Sequence, residues 1–219
     1  MFSMSFSRTE NGIYVSHTDV LRCINRTMRR AMISIRYSQG FNKHMYLKLS
    51  QPLPLGIASE EEWMTADVIS AITKEEFLEK FNKNCPPYLK GKAIYETKDN
   101  PSLAAKIIAS KYRINEERAI DFKEEICNLK NGCVIKTRKN GEIIEKDVTD
   151  LIYNITVDEK GIECTAAYGN KNLRMDLFSA MLNEKFGFSI ELTDIVRLTQ
   201  YVDNGGALIT AEEYLKGIL

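Results

Sequence analysis

A chain of 219 residues, 44% hydrophobic and 27% charged, is long enough to bury a sizeable core without disulfide or metal staples. Thirty Lys/Arg balance thirty Asp/Glu, so no whole-molecule field singles out nucleic acid or a membrane as partner. The five cysteines are odd in number and form no CxxC pair, the start MFSMSFSRTE is neither basic nor apolar, and no stretch approaches the roughly 20 apolar residues of a transmembrane helix. The expectation is a reduced, cytoplasmic protein without a signal peptide or membrane anchor.

Charge is nevertheless unevenly distributed. Residues 1–59 carry Arg8, Arg22, Arg26, Arg29, Arg30, Arg36, Lys43 and Lys48 against only Glu10 and Asp19. Residues 3–16 read as a strand pair or one bent strand, with turn chemistry at Glu10-Asn11-Gly12. Residues 17–32 are the clearest helix. Ser16 stands at the N-cap with Asp19 three residues on, and Leu21, Ile24, Met28 and Ala31 recur at spacings of three and four. Arg22, Arg26, Arg29 and Arg30 occupy a different face.

Residues 33–43 read as a loop, 45–49 as a strand, and Pro52-Leu53-Pro54-Leu55-Gly56 as a rigid extended connector, because two prolines remove backbone donors. A strand over 62–69 follows. Then comes a helix over 74–84, capped by Thr73 with Glu76 and ended by Pro86-Pro87, and a strand over 89–97. This β-α-β-β-α-β order is the ferredoxin-like pattern.

Lys98-Asp99-Asn100-Pro101-Ser102 is the candidate domain boundary. Beyond it the pattern partly repeats: a strand over 103–114, a helix over 121–130, a hairpin about Lys139-Asn140-Gly141, a second hairpin about 158–161, a helix over 174–186 with Gly187 as C-cap, and a strand over 195–202. Asn204-Gly205-Gly206 reads as a hinge before a helix over 211–216 capped by Thr210. The expected architecture is α+β: two ferredoxin-like units with antiparallel sheets over 1–98 and 103–203, then a hinge and short C-terminal helix over 204–219.

Two groups of residues point to function. The first is a phosphate- or RNA-binding surface. Arg22, Arg26, Arg29 and Arg30 offer guanidinium forks along one helix, Lys43 and Lys48 add charge, and Tyr37, Gly40, Phe41 and Asn42 form a loop with two stacking platforms and a glycine for close backbone approach. The bland alternative is a solvated face whose arginines pair with acids elsewhere. The second group is the chain's two histidines. If helix one and the neighbouring strand end approach each other, His17 and His44 could act as general base and acid. A metal site is not expected, because no third ligand stands at a standard spacing. The chain contains no P-loop, GxGxxG or GxSxG, no CxxxCxxC cluster motif, and no sign of a bound cofactor.

The run Ser16-His17-x-Asp19-x-x-Arg22, Arg29-Arg30-Ala31, Tyr37-Ser38-x-Gly40-Phe41-Asn42-x-His44, Pro52-Leu53-Pro54-Leu55-Gly56 and Ser59 resembles the bacterial radical-SAM-linked protein family, a domain of unknown function found beside or fused to an uncharacterised radical SAM protein. The resemblance is dense over residues 5–67. The family pattern departs here at Lys43 and Met45, where it has prolines, and at Thr18, where it has leucine. The resemblance implies a radical SAM partner and an accessory role in RNA modification, with the chemistry supplied by that partner. Against this stands a small enzyme using His17 and His44. Paired ferredoxin-like units with a helix-one histidine are similar to metal-independent repeat-associated endoribonucleases, and also to pseudouridine synthases, although no catalytic Asp suggests itself.

Overall fold

The computed structural model describes residues 1–139 and 141–218. It is a mixed α/β structure built on a large, mostly antiparallel sheet. In chain order the elements are β1 (Phe2–Arg8), α1 (His17–Arg30), β2 (Leu47–Leu49), β3 (Ala58–Ala66), α2 (Lys74–Asn84), β4 (Leu89–Glu96), α3 (Leu103–Lys106), β5 (Ile107–Asn115), α4 (Lys123–Cys127), β6 (Val134–Lys139), β7 (Glu142–Asp147), β8 (Ile152–Asp158), β9 (Gly161–Ala167), α5 (Met175–Phe186), β10 (Ile195–Asn204), β11 (Ala207–Thr210) and α6 (Ala211–Gly217).

The main sheet runs β4-β1-β3-β10-β5-β9-β8, with β2 also paired to β3 and β11 to β10. Among the described residues only β3–β10 is parallel, through Ala58–Val196 and Ser59–Arg197. β3 therefore changes partner along its length. Its first residues meet β10, while Met64, Thr65 and Ala66 meet β2. The hairpin β6–β7 forms a separate two-stranded sheet and lies against α5, with Val134 and Lys136 facing Leu177 and Met181 across a groove.

Local sequence explains the layers. In β1, Phe2, Met4 and Phe6 point into the core beneath α1 and α2, among Val20, Ile24, Met28, Phe77 and Phe81. The alternate residues Ser3, Ser5 and Ser7 are also buried. They are satisfied by hydroxyl chemistry where they can be: Ser3 Oγ meets Thr65 Oγ1 at 3.0 Å, and Ser5 Oγ accepts from Ala93 N–H. A strand covered on both faces follows, and α6 explains the second cover. Ala211 and Leu215 close over Trp63, Leu103, Ile107 and Val202 on the reverse side. The second half packs Ile126, Phe178 and Leu182 onto Tyr112, Ile114, Ile155 and Cys164.

α1 and α2 start where the sequence places them. Ser16 Oγ accepts from Asp19 N–H, and Thr73 with Glu76 makes a reciprocal capping box. Other stretches differ. Residues 10–14 form a 3-10 turn rather than half of a strand pair; Gly12 lies under Tyr88, where a Cβ would come within 2.7 Å of the ring. β3 begins at Ala58, four residues before the expected strand, because Glu61 and Glu62 find partners on β10. The 103–114 stretch opens with the helical turn α3, and the helix expected over 121–130 is split into short 3-10 and α pieces. The hairpin signal at 139–141 sits between β6 and β7, with Asn140 itself outside the described residues. Asn204-Gly205-Gly206 is the turn of the β10–β11 hairpin, not a hinge. Among the described residues no helix is long and apolar enough to cross a membrane.

The seam between the halves carries a clamp on each face. Arg197, fully buried, donates through Nε (3.0 Å) and Nη2 to Glu62 Oε1. On the other face Glu61 Oε1 accepts from Trp63 Nε1 (3.0 Å), Thr199 Oγ1 (2.8 Å) and Gln200 N–H (3.1 Å). Burial pushes the Glu61 carboxyl upward, and these three donors hold it back. Glu62→Gln leaves Arg197 facing a neutral amide in the interior. We expect a loss of about 3–5 kcal/mol of stability, read as a lower urea midpoint at unchanged slope. A loss below about 1 kcal/mol would show that the clamp does not hold the seam.

Candidate functional site

The structure separates the residues singled out from sequence into two places, at opposite ends of α1. His17 is the first residue of the helix, beside the end of β1. Cross-strand pairing fixes that end. Arg8 pairs with Ser59 on β3, whereas Phe2 pairs with Ala66. His44 lies beyond the other end of β3, in a loop held by bridges between Ile35 and Val68 and between Tyr37 and Met45. The 14 residues of α1 put its ends about 21 Å apart. The expected approach of His17 to His44 does not occur, because β2 pairs with the far end of β3 and carries His44 away.

At the His44 end the loop is exposed and polar-braced. Ser38 N–H donates to His44 C=O at 2.8 Å, His44 N–H donates to Ser38 Oγ at 3.1 Å, and Ser38 Oγ meets His44 Nδ1 at 2.9 Å. Gly40 adopts φ +121°, with open space where a side chain would stand. Phe41 is fully exposed, and Tyr37, Tyr46 and Met32 also present large apolar surface. Asn42 and Lys43 are exposed beside Phe41, and Lys48 on the edge strand β2. Arg36 is bound to Asp67 at 2.6 Å.

The arginines of α1 divide by role. Arg22 pairs with Asp19 at 2.9 Å on an exposed face, a contact worth little. The bonds from Ser16 and Arg22 hold the Asp19 carboxyl below its usual range. Arg30 donates to Asn84 C=O at 2.5 Å and to Thr27 Oγ1 at 3.2 Å, so it ties the end of α1 to the end of α2. Arg26 and Arg29 are exposed and, among the described residues, have no salt-bridge partner.

At the His17 end lies a cluster that sequence reasoning passed over. Arg8 is a buried residue, not surface charge. Pairing places Arg8, Ser59 and Arg197 in one row across β1, β3 and β10, with Tyr112 next on β5. The register slips between Phe6–Glu62 and Arg8–Ser59. This bulge turns both Ser59 and Glu62 to the helix-covered face. Arg197 also lies over the Tyr168 ring, 5.0 Å from its centroid. Burial opposes the Arg197 charge, but Glu62 and the two tyrosines outweigh it and raise its pKa. Burial lowers that of Arg8, with Glu62 opposing.

The proline connector closes over this cluster. Tyr168 OH donates to Pro52 C=O, Gly56 N–H donates to Ile13 C=O at 2.9 Å, and Leu53 and Ile57 enter the core. Outside it, Pro54, Leu55, Tyr112, Tyr168, Asn172 and Arg174 line a cleft of about 440 Å³. The only sequence signals were an arginine ending an otherwise alternating apolar strand and a lone arginine in the apolar run of β10.

His17 is half-buried at the edge of the cluster. Burial lowers its pKa from 6.5, Arg8 and Arg197 lower it further, and Glu62 opposes them. The unfolded chain therefore takes up a proton near pH 6.5 that the native imidazole resists. Stability contributed by neutral His17 is present above pH 6.5 and is lost as pH falls from there through the lower native value. The imidazole resonance removed by His17→Gln should titrate below 6.5 by NMR, and that variant should flatten the fall in melting temperature between pH 7 and 5. A midpoint at or above 6.5 would contradict the assignment.

The comparisons with known proteins place the chain in a family without assigning it a role. Among curated proteins no match to the chain is found. The bacterial family described as "Uncharacterized protein conserved in bacteria (DUF2344)" matches residues 2–176, from β1 to the start of α5. With most of its length covered by that match, the chain belongs to this family.

Proposed function

We propose that the chain is an RNA-binding accessory protein working beside a radical SAM enzyme that performs the chemistry. The observation that carries the RNA-binding part is Phe41, fully exposed at the tip of a braced loop. That loop follows the end of α1 from which Arg26 and Arg29 project without partners among the described residues. Exposed aromatic rings together with exposed guanidinium groups suit single-stranded nucleic acid, where bases stack and phosphates take the charge. Tyr37, Lys43 and Lys48 extend the surface. The radical SAM partner rests on the motif resemblance alone. The separation of His17 from His44 supports placing catalysis in a partner rather than in this chain.

We read the two halves as ferredoxin-like units. The orders β4-β1-β3-β2 and β10-β5-β9-β8, each antiparallel, support that reading, with the β6–β7 hairpin as an insertion in the second.

Fluorescence anisotropy with a single-stranded oligoribonucleotide tests the surface. The double charge reversal Arg26→Glu/Arg29→Glu removes two phosphate contacts, so the slope of log K against log salt should become shallower by about 1.4. Phe41→Ala should weaken binding roughly 5- to 150-fold. Absence of binding at low salt, or variants that bind like the wild type, would discard the reading.

A further inference from the structure

Four buried side-chain polar atoms lack a hydrogen-bond partner among the described residues: Arg8 Nε, Ser59 Oγ, Asn25 Oδ1 and Ser110 Oγ. Two of them belong to Arg8 and Ser59, which are direct cross-strand partners. Buried polar groups are nearly always satisfied, so two adjacent orphans call for an explanation. Arg8 has one weak contact, Nη2 to Ile13 C=O at 3.4 Å. Glu62 feels the Arg8 charge but is bonded through Oε1 to Arg197, and among the described residues it accepts no hydrogen bond from Arg8.

Charge tells the same story as hydrogen bonding. Among the described side chains, Arg8 and Arg197 bring two positive charges to this face and Glu62 one negative charge, leaving a surplus of one positive charge where water is excluded. His17, held toward its neutral form, does not add to it. A water molecule could satisfy the two donors but not the charge. The amino terminus of the 14-residue helix α1 stands beside the same spot and favours a negative group. Asp19 in its first turn is engaged outward, with Ser16 and Arg22.

We propose that Arg8 and Ser59 form an oxyanion-binding site, entered past the half-buried His17, that takes the phosphate or carboxylate group of a small ligand. The Arg8 fork and the Ser59 hydroxyl both donate, and an anionic oxygen accepts from each. Glu62, held by Arg197, sets the neighbouring wall and disfavours a second negative group next to the first. The site is distinct from the exposed Arg26/Arg29 surface and does not depend on it.

Thermal unfolding of the full chain tests this with inorganic phosphate and with acetate, each against sodium chloride at equal ionic strength. At a tenfold excess over Kd, phosphate or acetate should raise the midpoint by about 3 °C or more. The responding anion identifies the group taken. Arg8→Met should abolish the shift. Ser59→Ala deletes an atom that makes no native hydrogen bond, so it should fold like the wild type and weaken the response several-fold even if Arg8→Met does not fold. Arg26→Glu/Arg29→Glu should retain the shift. No shift with either anion, a shift that survives Ser59→Ala unchanged, or one lost in Arg26→Glu/Arg29→Glu would overturn the proposal.

Discussion

The structure turns on a junction that backbone pairing alone would hold poorly. Among the described residues β3 and β10 share two paired positions, the one parallel contact in the sheet. Consecutive glutamates make up the difference because a strand sends neighbours to opposite faces. Glu62 receives Arg197 beneath the helices, and Glu61 receives Trp63, Thr199 and Gln200 on the reverse side. Glu62 is buried and Glu61 partly buried, each with its donors already in place, so the desolvation is offset by charge-assisted bonds. Without this clamp the seam would rest on two paired positions and on the apolar contacts of Trp63, Leu53 and Ile57 with the second half, and β3 and β10 would be held together less firmly along their polar backbone.

The same junction creates the unusual electrostatics. The bulge that brings Glu62 to the helix face also brings Ser59 there, into line with Arg8 and Arg197. Arg197 takes the carboxylate, with Tyr168 stacked against it, and Arg8 is left with a distant carbonyl. A sequence optimised only for stability would place an apolar side chain at position 8, continuing Phe2, Met4 and Phe6. Retaining a guanidinium there costs stability in the unliganded chain, and such a cost is understandable where the group has something to bind.

The parts of the fold legible in sequence are those specified locally. Ser16 with Asp19 and Thr73 with Glu76 announce helix starts, and the spacing of Leu21, Ile24 and Met28 announces which face turns inward. The misses share a cause in distant partners. Ala58-Ser59-Glu60-Glu61-Glu62 has little strand character of its own and becomes β3 because β1 and β10 supply its bonds. Residues 10–14 carry turn chemistry, but Tyr88, far along the chain, decides that the segment coils rather than returns as a strand. The site shows the same limit. The exposed loop and the arginine ladder are visible as motifs, and so is His17. Arg8 was indistinguishable from surface charge, since only the cross-strand register reveals that it is buried beside Ser59.

α1 connects the two regions, and its polarity suits both. Its amino-terminal end, capped by Ser16, adds positive potential to the side on which Arg8 forms no salt bridge among the described residues. Its carboxyl-terminal end carries the negative pole of the helix, where Arg29 and Arg30 are favourably placed whatever else they do. Arg30 is consumed in fastening α1 to the last carbonyl of α2. That contact fixes the helix against α2 and leaves Arg26 and Arg29 to project from a rigid element rather than a mobile one. Side chains held on a fixed helix lose less freedom on meeting a ligand than the same groups on a loop. The four arginines that look equivalent in sequence therefore serve three ends: Arg22 supports the cap, Arg30 the packing, and Arg26 with Arg29 the open surface.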